Sequence, residues 1–381
     1  MPPEPTPIVR RVFPKSFQTK TLKSRRYTKP LIALGGLLCV SLITYGALAF
    51  YQQTHRAVTI VPVASITPTP SPTATPTPAA QAENILDGTM VDPSKANVHP
   101  LAVMIENHPD ARPQSGLGSA NLVYEAIAEG GITRFMAIYR DPSQAVRVGP
   151  VRSSRTYFLH FANEINAFYA HAGGNRDALD EIAAGGTYDL DGLSLGSPLF
   201  TRDYSRNVAT EHTLYSSTDK LWQYATVTNK WPTTSSFSPW LFQDDPATDK
   251  RPASQTVNVK VSDSLYAVSW AYDPASNSYA RSMAGAPHID ANTGQQIKVK
   301  NIVLETVQRQ ATVTKIGEEG WIYTTTGTGP AVIIQNGTAI KGTWKHDGDR
   351  TRYYDSNGQE VHFVRGTTWV QIVHSDSAIS Y

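Results

Sequence analysis

Hydrophobic and polar positions follow three different patterns along the chain. Residues 31–50 read LIALGGLLCVSLITYGALAF, twenty positions without a charge. A helix of that length spans roughly 30 Å, the thickness of a bilayer core, and predicts one transmembrane segment. Residues 67–78 read TPTPSPTATPTP, where proline recurs too often for helix or sheet. That stretch predicts an extended, semi-rigid spacer of roughly 37 Å. From about residue 85 onward, short apolar runs alternate with Gly-, Asn- and Pro-containing breaks, the pattern of a folded body.

Within the body, the run at 101–105 predicts a buried strand ending at Glu106-Asn107. Residues 121–128 and 133–140 flank Glu129-Gly130-Gly131 and predict a hairpin. A helix is expected over 153–163, capped by Ser153 or Ser154, then a strand over 167–171. Gly173-Gly174-Asn175 leads into a helix at 176–183, closed by Gly185-Gly186. A short helix is expected at 218–225. Past a Pro-, Ser- and Asp-rich connection at 231–252, period-two alternation dominates: Val257, Val259, Val261, then Val268, Trp270, Tyr272. Further strand runs lie at 297–305, 321–325, 331–335, 338–344 and 367–372, with Asn336-Gly337 as a hairpin turn.

Charge sharpens this division. Residues 1–30 carry eight basic side chains against Glu4, a net +7, and the remaining chain carries −5. The basic block before the apolar run keeps the tail in the cytoplasm and sends the body across the membrane. Ala47-Leu48-Ala49 resembles a signal-peptidase site, so cleavage after Ala49 and secretion is the alternative to a single-pass anchor. The only cysteine, Cys39, lies inside the apolar run behind the large Leu38, which argues against lipidation and leaves no intramolecular disulfide. A body of net negative charge is a poor nucleic-acid binder, so no nucleic-acid partner is expected.

Several motifs could carry chemistry. Gly192-Leu193-Ser194-Leu195-Gly196 has the letters of a nucleophile elbow but lacks its helical continuation. Ser217-Thr218-Asp219-Lys220 matches S-x-x-K without the companion motifs that such enzymes need. The ten histidines show no metal-ligand spacing, so neither a metal nor a cofactor is expected. The distinctive feature is a concentration of arginine: Arg134, Arg140, Arg147, Arg152 and Arg155 within 22 residues. With Arg152 and Arg155 in the first turn of the 153–163 helix, their forks and the helix dipole would favour an anion. Arg112 and Arg134 would converge on the same cleft, with Ser153 at the helix start. Glu106, Glu125 and His212 are the acid or base candidates there. The competing account is a structural ion-pair network of these arginines with Glu106, Glu125 and Glu129.

These segments resemble the YerB-like family of bacterial envelope proteins, a family of unknown function. In the first half the resemblance rests on Glu106-Asn107-His108-Pro109, on Ala111 with residues 112–117, on Val123-Tyr124-Glu125-Ala126, on residues 129–135 and on Gly149-Pro150-Val151-Arg152-Ser153-Ser154-Arg155. In the second half it rests on Trp270-Ala271-Tyr272-Asp273, Asn301-Ile302-Val303, Lys341-Gly342-Thr343-Trp344 and Gly366-Thr367-Thr368-Trp369-Val370. Many relatives are lipoproteins, whereas this chain has a spanning segment, and around His212 it has Glu211-His212-Thr213 where the family has Pro-His-Asn. The resemblance implies an α+β fold outside the cytoplasm, with sheet layers and helices on one side. The resulting organisation is a basic cytoplasmic tail (1–30), a transmembrane signal-anchor (31–50) and a Pro/Thr-rich linker (51–84). A layered α/β N-terminal domain (85–230) and a mainly antiparallel β C-terminal domain (250–381) follow. The functional reading is a non-catalytic envelope binding or scaffold protein that recognises an anionic or carboxylate-bearing ligand. Cell-wall peptide or glycan and envelope proteins are the candidate partners. An envelope hydrolase or transferase using an Arg/Glu/His cleft is the alternative.

Overall fold

The computed structural model describes residues 80–381; the tail, the apolar run and most of the linker expected at 1–84 lie outside the described residues. Strand β1 (Leu101–Glu106) is buried at every position, as its unbroken apolar run requires of a strand covered on both faces. It is followed by β2 (Leu122–Ile127) and β3 (Thr133–Tyr139), which form the expected hairpin across Glu129-Gly130-Gly131. Gly130 and Gly131 both take positive φ, which explains why glycine serves in that turn. Helix α1 (Thr156–Glu164), β4 (Phe168–His171), α2 (Arg176–Ala183), β5 (Tyr188–Asp191) and α3 (Thr218–Gln223) follow in the first half, with a single helical turn at Gly192–Leu195 and a short strand at Leu214–Ser217.

The second half supplies β6 (Thr256–Lys260), β7 (Val268–Asp273) and β8 (Ser278–Met283). Next come β9 (Asn301–Thr306), a projecting hairpin of β10 (Arg309–Val313) and β11 (Glu319–Tyr323), then β12 (Gly327–Gln335) and β13 (Thr338–His346). Strands β14 (Arg352–Asp355), β15 (Thr368–Val373) and β16 (Ala378–Ser380) end the chain.

Ten strands drawn from both halves build one sheet in the order β14-β13-β12-β9-β15-β2-β3-β1-β4-β5. The halves join where β15 inserts between β9 and β2, parallel to both. A smaller sheet of β8, β7, β6 and β16, edged by Ala286–Pro287, covers one face. Its Val257, Val259, Trp270 and Tyr279 meet Val103, Phe135, Leu304 and Trp369, and the Trp270 and Trp369 rings cross edge-to-face at 5.4 Å. The opposite face carries α1, whose Phe161 stacks on Tyr124 at 4.6 Å, together with Trp240 and Phe363. The protein is therefore β-rich with few helices and layered, but α1 packs on one face and Leu221 of α3 on the other, rather than all helices on one side.

Two local expectations are corrected. Helix α1 begins at Thr156 with Arg155 as its N-cap, three residues later than Ser153. Residues 151–154 stay extended because Val151 bridges Ile105 and Ser154 bridges Gly174. Arg152 and Arg155 therefore do not share a helical first turn. The run expected at 297–305 divides into Lys298–Val299, paired with β8, and β9, so it feeds two different sheets.

Candidate functional site

Strand direction places the candidate side chains. Strands β9, β15, β2, β1, β4 and β5 all run the same way, with β3 and β12 reversed between or beside them. Their carboxyl ends therefore form one edge, a common place for a ligand crevice in open sheets with parallel strands. Along this edge lie the segment after Thr306, His374–Asp376, the 129–131 turn, Glu106–His108, His171–Gly174 and the segment after Asp191.

The arginines and acids singled out above separate into three groups on or under that edge. In the first, Arg155 grips Glu129 with two parallel contacts, Nη2 lying 2.5 Å from Oε2, and its Nη1 donates to the Ser154 carbonyl at 2.6 Å. Arg134 donates to the Ser153 carbonyl at 2.8 Å, and its Nη2 lies 3.7 Å from Glu129. Burial, reinforced by the neighbouring Arg155 charge, pulls the Arg134 guanidinium down to about 10. Burial alone would raise the Glu129 carboxyl, but its bonds to Arg155 and the charges of Arg155 and Arg134 hold it below the usual range.

In the second group, the buried Glu106 carboxylate faces Arg152 Nε at 2.9 Å through one oxygen and His212 Nδ1 at 2.7 Å through the other. His212 stacks flat on His108, ring centres 4.6 Å apart. His108 Nδ1 lies 3.7 Å from an Asp110 carboxylate oxygen. His108, Asp110 and His212 each offer one donor atom within 4.8 Å of the others, the one set of three or more metal-type donors among the described residues.

The third group is not on the surface. Glu125 points between the sheets, where it accepts from Arg281 Nη2 at 2.8 Å, Trp369 Nε1 at 3.0 Å and Thr133 Oγ1 at 3.0 Å. Both members of the Glu125–Arg281 pair are fully buried. Arg112 stands apart from the other predicted arginines: it donates to Asn107 and to the Leu265 carbonyl and lies over the Tyr266 ring at 5.2 Å. Arg134, Arg152 and Arg155 thus gather at one edge with Ser153, Glu106 and His212, while Glu125 and Arg112 face the small sheet.

Both serine motifs are occupied locally. Ser194 Oγ donates to Asp191 at 2.7 Å, and Ser217 Oγ donates to Asp219 two residues on. Neither hydroxyl meets a histidine or lysine among these contacts.

Sequence reasoning did not single out what lies beside the Glu129 group. The β10–β11 hairpin leans over the 129–131 turn, with Tyr323 Oη donating to the Ile127 carbonyl at 3.1 Å. Trp321 on that hairpin lines two clefts. One, of about 590 Å³, lies toward Glu129, Gly130 and Gly131. The other, of about 810 Å³, is lined by Arg309, Thr324, Thr326, Thr328 and His374. Arg309 lies over the Trp321 ring at 4.1 Å, and among the described residues it joins no ion pair within 4.0 Å. In the sequence Arg309 simply opens a short strand, and the register that brings Trp321 beside it, opposite Ala311, carries no local signature.

Residues 86–231 match the N-terminal domain of the protein-of-unknown-function family DUF3048, and residues 257–370 match its C-terminal domain. The chain is 32% identical over 302 residues to a Bacillus subtilis (strain 168) protein bearing the name "Putative lipoprotein YerB", covering 77% of this chain and 87% of that one. The crystal structure of YerB protein from Bacillus subtilis has a similar fold, with a TM-score of 0.68 at 30% identity over 79% of this chain and 100% of that one. With both halves matched in order and joined in one sheet, the chain belongs to the DUF3048 family, the YerB-like proteins of unknown function.

Proposed function

We propose that this protein is a membrane-anchored, extracytoplasmic binding protein of the cell envelope, holding a carboxylate-bearing wall peptide or glycan in the clefts around Trp321. The observation that carries this reading is the division of labour among the arginines. Arg134, Arg152 and Arg155 already have carboxylate or carbonyl partners, whereas Arg309, in the larger cleft that Asp376 also lines, makes no ion pair within 4.0 Å among the described residues. A guanidinium pairs bidentately with a carboxylate, and threonine hydroxyls together with an indole suit the hydroxyls and flat faces of a sugar or peptide. The paired acids and hydrogen-bonded serines support binding without turnover. Placement outside the cytoplasm is supported by the basic tail and the charge-free run at 31–50, and by the name of the Bacillus relative. Among the described residues, no helix is long and apolar enough to cross a membrane, so the anchor would be the 31–50 segment.

The test is equilibrium binding of the full-length protein to solubilised wall fragments, with the mixture then analysed by mass spectrometry. The proposal expects saturable binding that falls at least tenfold in Trp321→Ala and Arg309→Ala, with fragments recovered intact. Cleaved or transferred fragments would instead establish the hydrolase or transferase alternative. Equal binding by the variants would move the site elsewhere.

A further inference from the structure

The Glu106–His212–His108 group has an arrangement that the binding reading does not use, and the inference from it does not rest on that reading. A carboxylate can only accept, so the 2.7 Å contact between Glu106 Oε2 and His212 Nδ1 places a proton on Nδ1 and leaves Nε2 as the nitrogen that a cation could take. A buried carboxylate behind a histidine is the support that metal-ligating histidines usually have: it fixes the tautomer and makes the outer nitrogen a better donor. Glu106 is held in turn, since its second oxygen faces Arg152 and its backbone amide donates to the Pro150 carbonyl at 3.0 Å.

The other donors come from the adjoining turn. His108 caps the short helix Pro109–Ala111, its Nδ1 accepting from the Asp110 amide at 3.2 Å and facing the Asp110 carboxylate at 3.7 Å. The turn is clamped from outside by Arg206, which donates to the Asp110 carbonyl at 2.7 Å and the Arg112 carbonyl at 3.0 Å. From inside, Arg112 holds the Asn107 carbonyl at 3.1 Å. The backbone is therefore fixed while the side chains of His108 and Asp110, 34% and 56% exposed, can adjust.

We propose that His108, Asp110 and His212 form a site for a zinc-type divalent cation, with Glu106 as the positioning residue behind His212. Donor atoms on a tetrahedral zinc lie about 3.3 Å apart at bond lengths near 2.0 Å. The present spread, within 4.8 Å, is wider than that value, so binding turns the half-buried His108 ring out of its flat stack on His212 and off the Asp110 amide, and swings the exposed Asp110 carboxylate inward. Two imidazoles and one carboxylate favour zinc over calcium or magnesium, which take oxygen sets. Three protein ligands leave the fourth position to water or to a ligand atom.

The experiment is competition for Zn²⁺ between a chromophoric chelator and untagged, chelator-stripped full-length protein. One equivalent should bind. His108→Phe, which keeps a flat ring against His212, should lose at least tenfold in affinity, as should His212→Ala. Glu106→Gln should weaken binding by about 10- to 100-fold, the usual effect of removing such a support. Near-ultraviolet circular dichroism of the stripped proteins shows which variants keep the native fold. If His212→Ala does not fold, His108→Phe decides, because its side chain is partly exposed. Absence of one-to-one binding by the wild type, or wild-type affinity in His108→Phe, overturns the proposal.

Discussion

At the scale of single residues, a charge in this protein is defined by its partner, and most partners are remote in sequence. Glu125 looks like a surface acid when read beside the Glu129 turn. In the fold it faces Arg281, 156 residues away, with both side chains fully buried. Removing one member of such a pair strands the other in a medium where an isolated charge is costly. Glu125→Ala should therefore lower stability by about 3–5 kcal/mol in a urea titration. A loss below about 1 kcal/mol would show that Arg281 finds another partner or water. Glu305 makes a second prediction. Burial raises its carboxyl to about 8, against the Tyr353 hydroxyl that donates to it at 2.6 Å. Between the ordinary value of 4.5 and about 8, the unfolded chain has released this proton and the folded chain keeps it. Stability contributed at this position is thus present below the lower value and falls as pH rises toward the upper one. Glu305→Gln should flatten the decline in urea midpoint across that window, and an unchanged pH slope would contradict the assignment.

At the scale of elements, the strands were legible because their apolar runs are short, dense and bounded by Gly, Asn or Pro. The hairpin of β2 and β3 lies where the sequence puts it, as do β4, α2 and the start of α3. The start of α1 was not legible, since Ser153 and Ser154 are good caps in isolation, and only the bridges to Ile105 and Gly174 keep the chain extended to Arg155. The same displacement removes the helix-dipole argument for Arg152. The metal-type group was invisible for a related reason: His108 and His212 are 104 residues apart, and no helical spacing links them. At Gly342, β14 passes so close that an added Cβ would lie 1.8 Å from the Tyr354 carbonyl oxygen. Backbone on both sides cannot yield cheaply, so Gly342→Ala should destabilise the protein by about 1–3 kcal/mol in thermal or urea unfolding. A neutral result would mean that the edge of the sheet at β14 is free to move away.

At the scale of the whole molecule, the chain reads as two successive halves, and the strand alternation of the second half is real. What the alternation could not reveal is that β15, the last long strand, returns to lie between β9 and β2. Residues 86–231 and 257–370 accordingly share one ten-stranded sheet, and both fall in the same compact unit. A fragment of residues 80–250 would expose the β2 edge and the apolar face under Trp369. It should lack native amide protection until residues 251–381 are supplied, and a protected fragment would show that the halves fold independently. The shared sheet also explains why the candidate site draws on both halves: Glu129 and Gly131 come from the first, Arg309 and Trp321 from the second. The most direct test of this account is hydrogen exchange of the full-length protein with and without solubilised wall fragments. The account predicts slowed exchange at 129–131, 306–328 and 374–376, along the carboxyl ends of the parallel strands. Protection confined to the outer strands of the small sheet, with those segments unchanged, would contradict it.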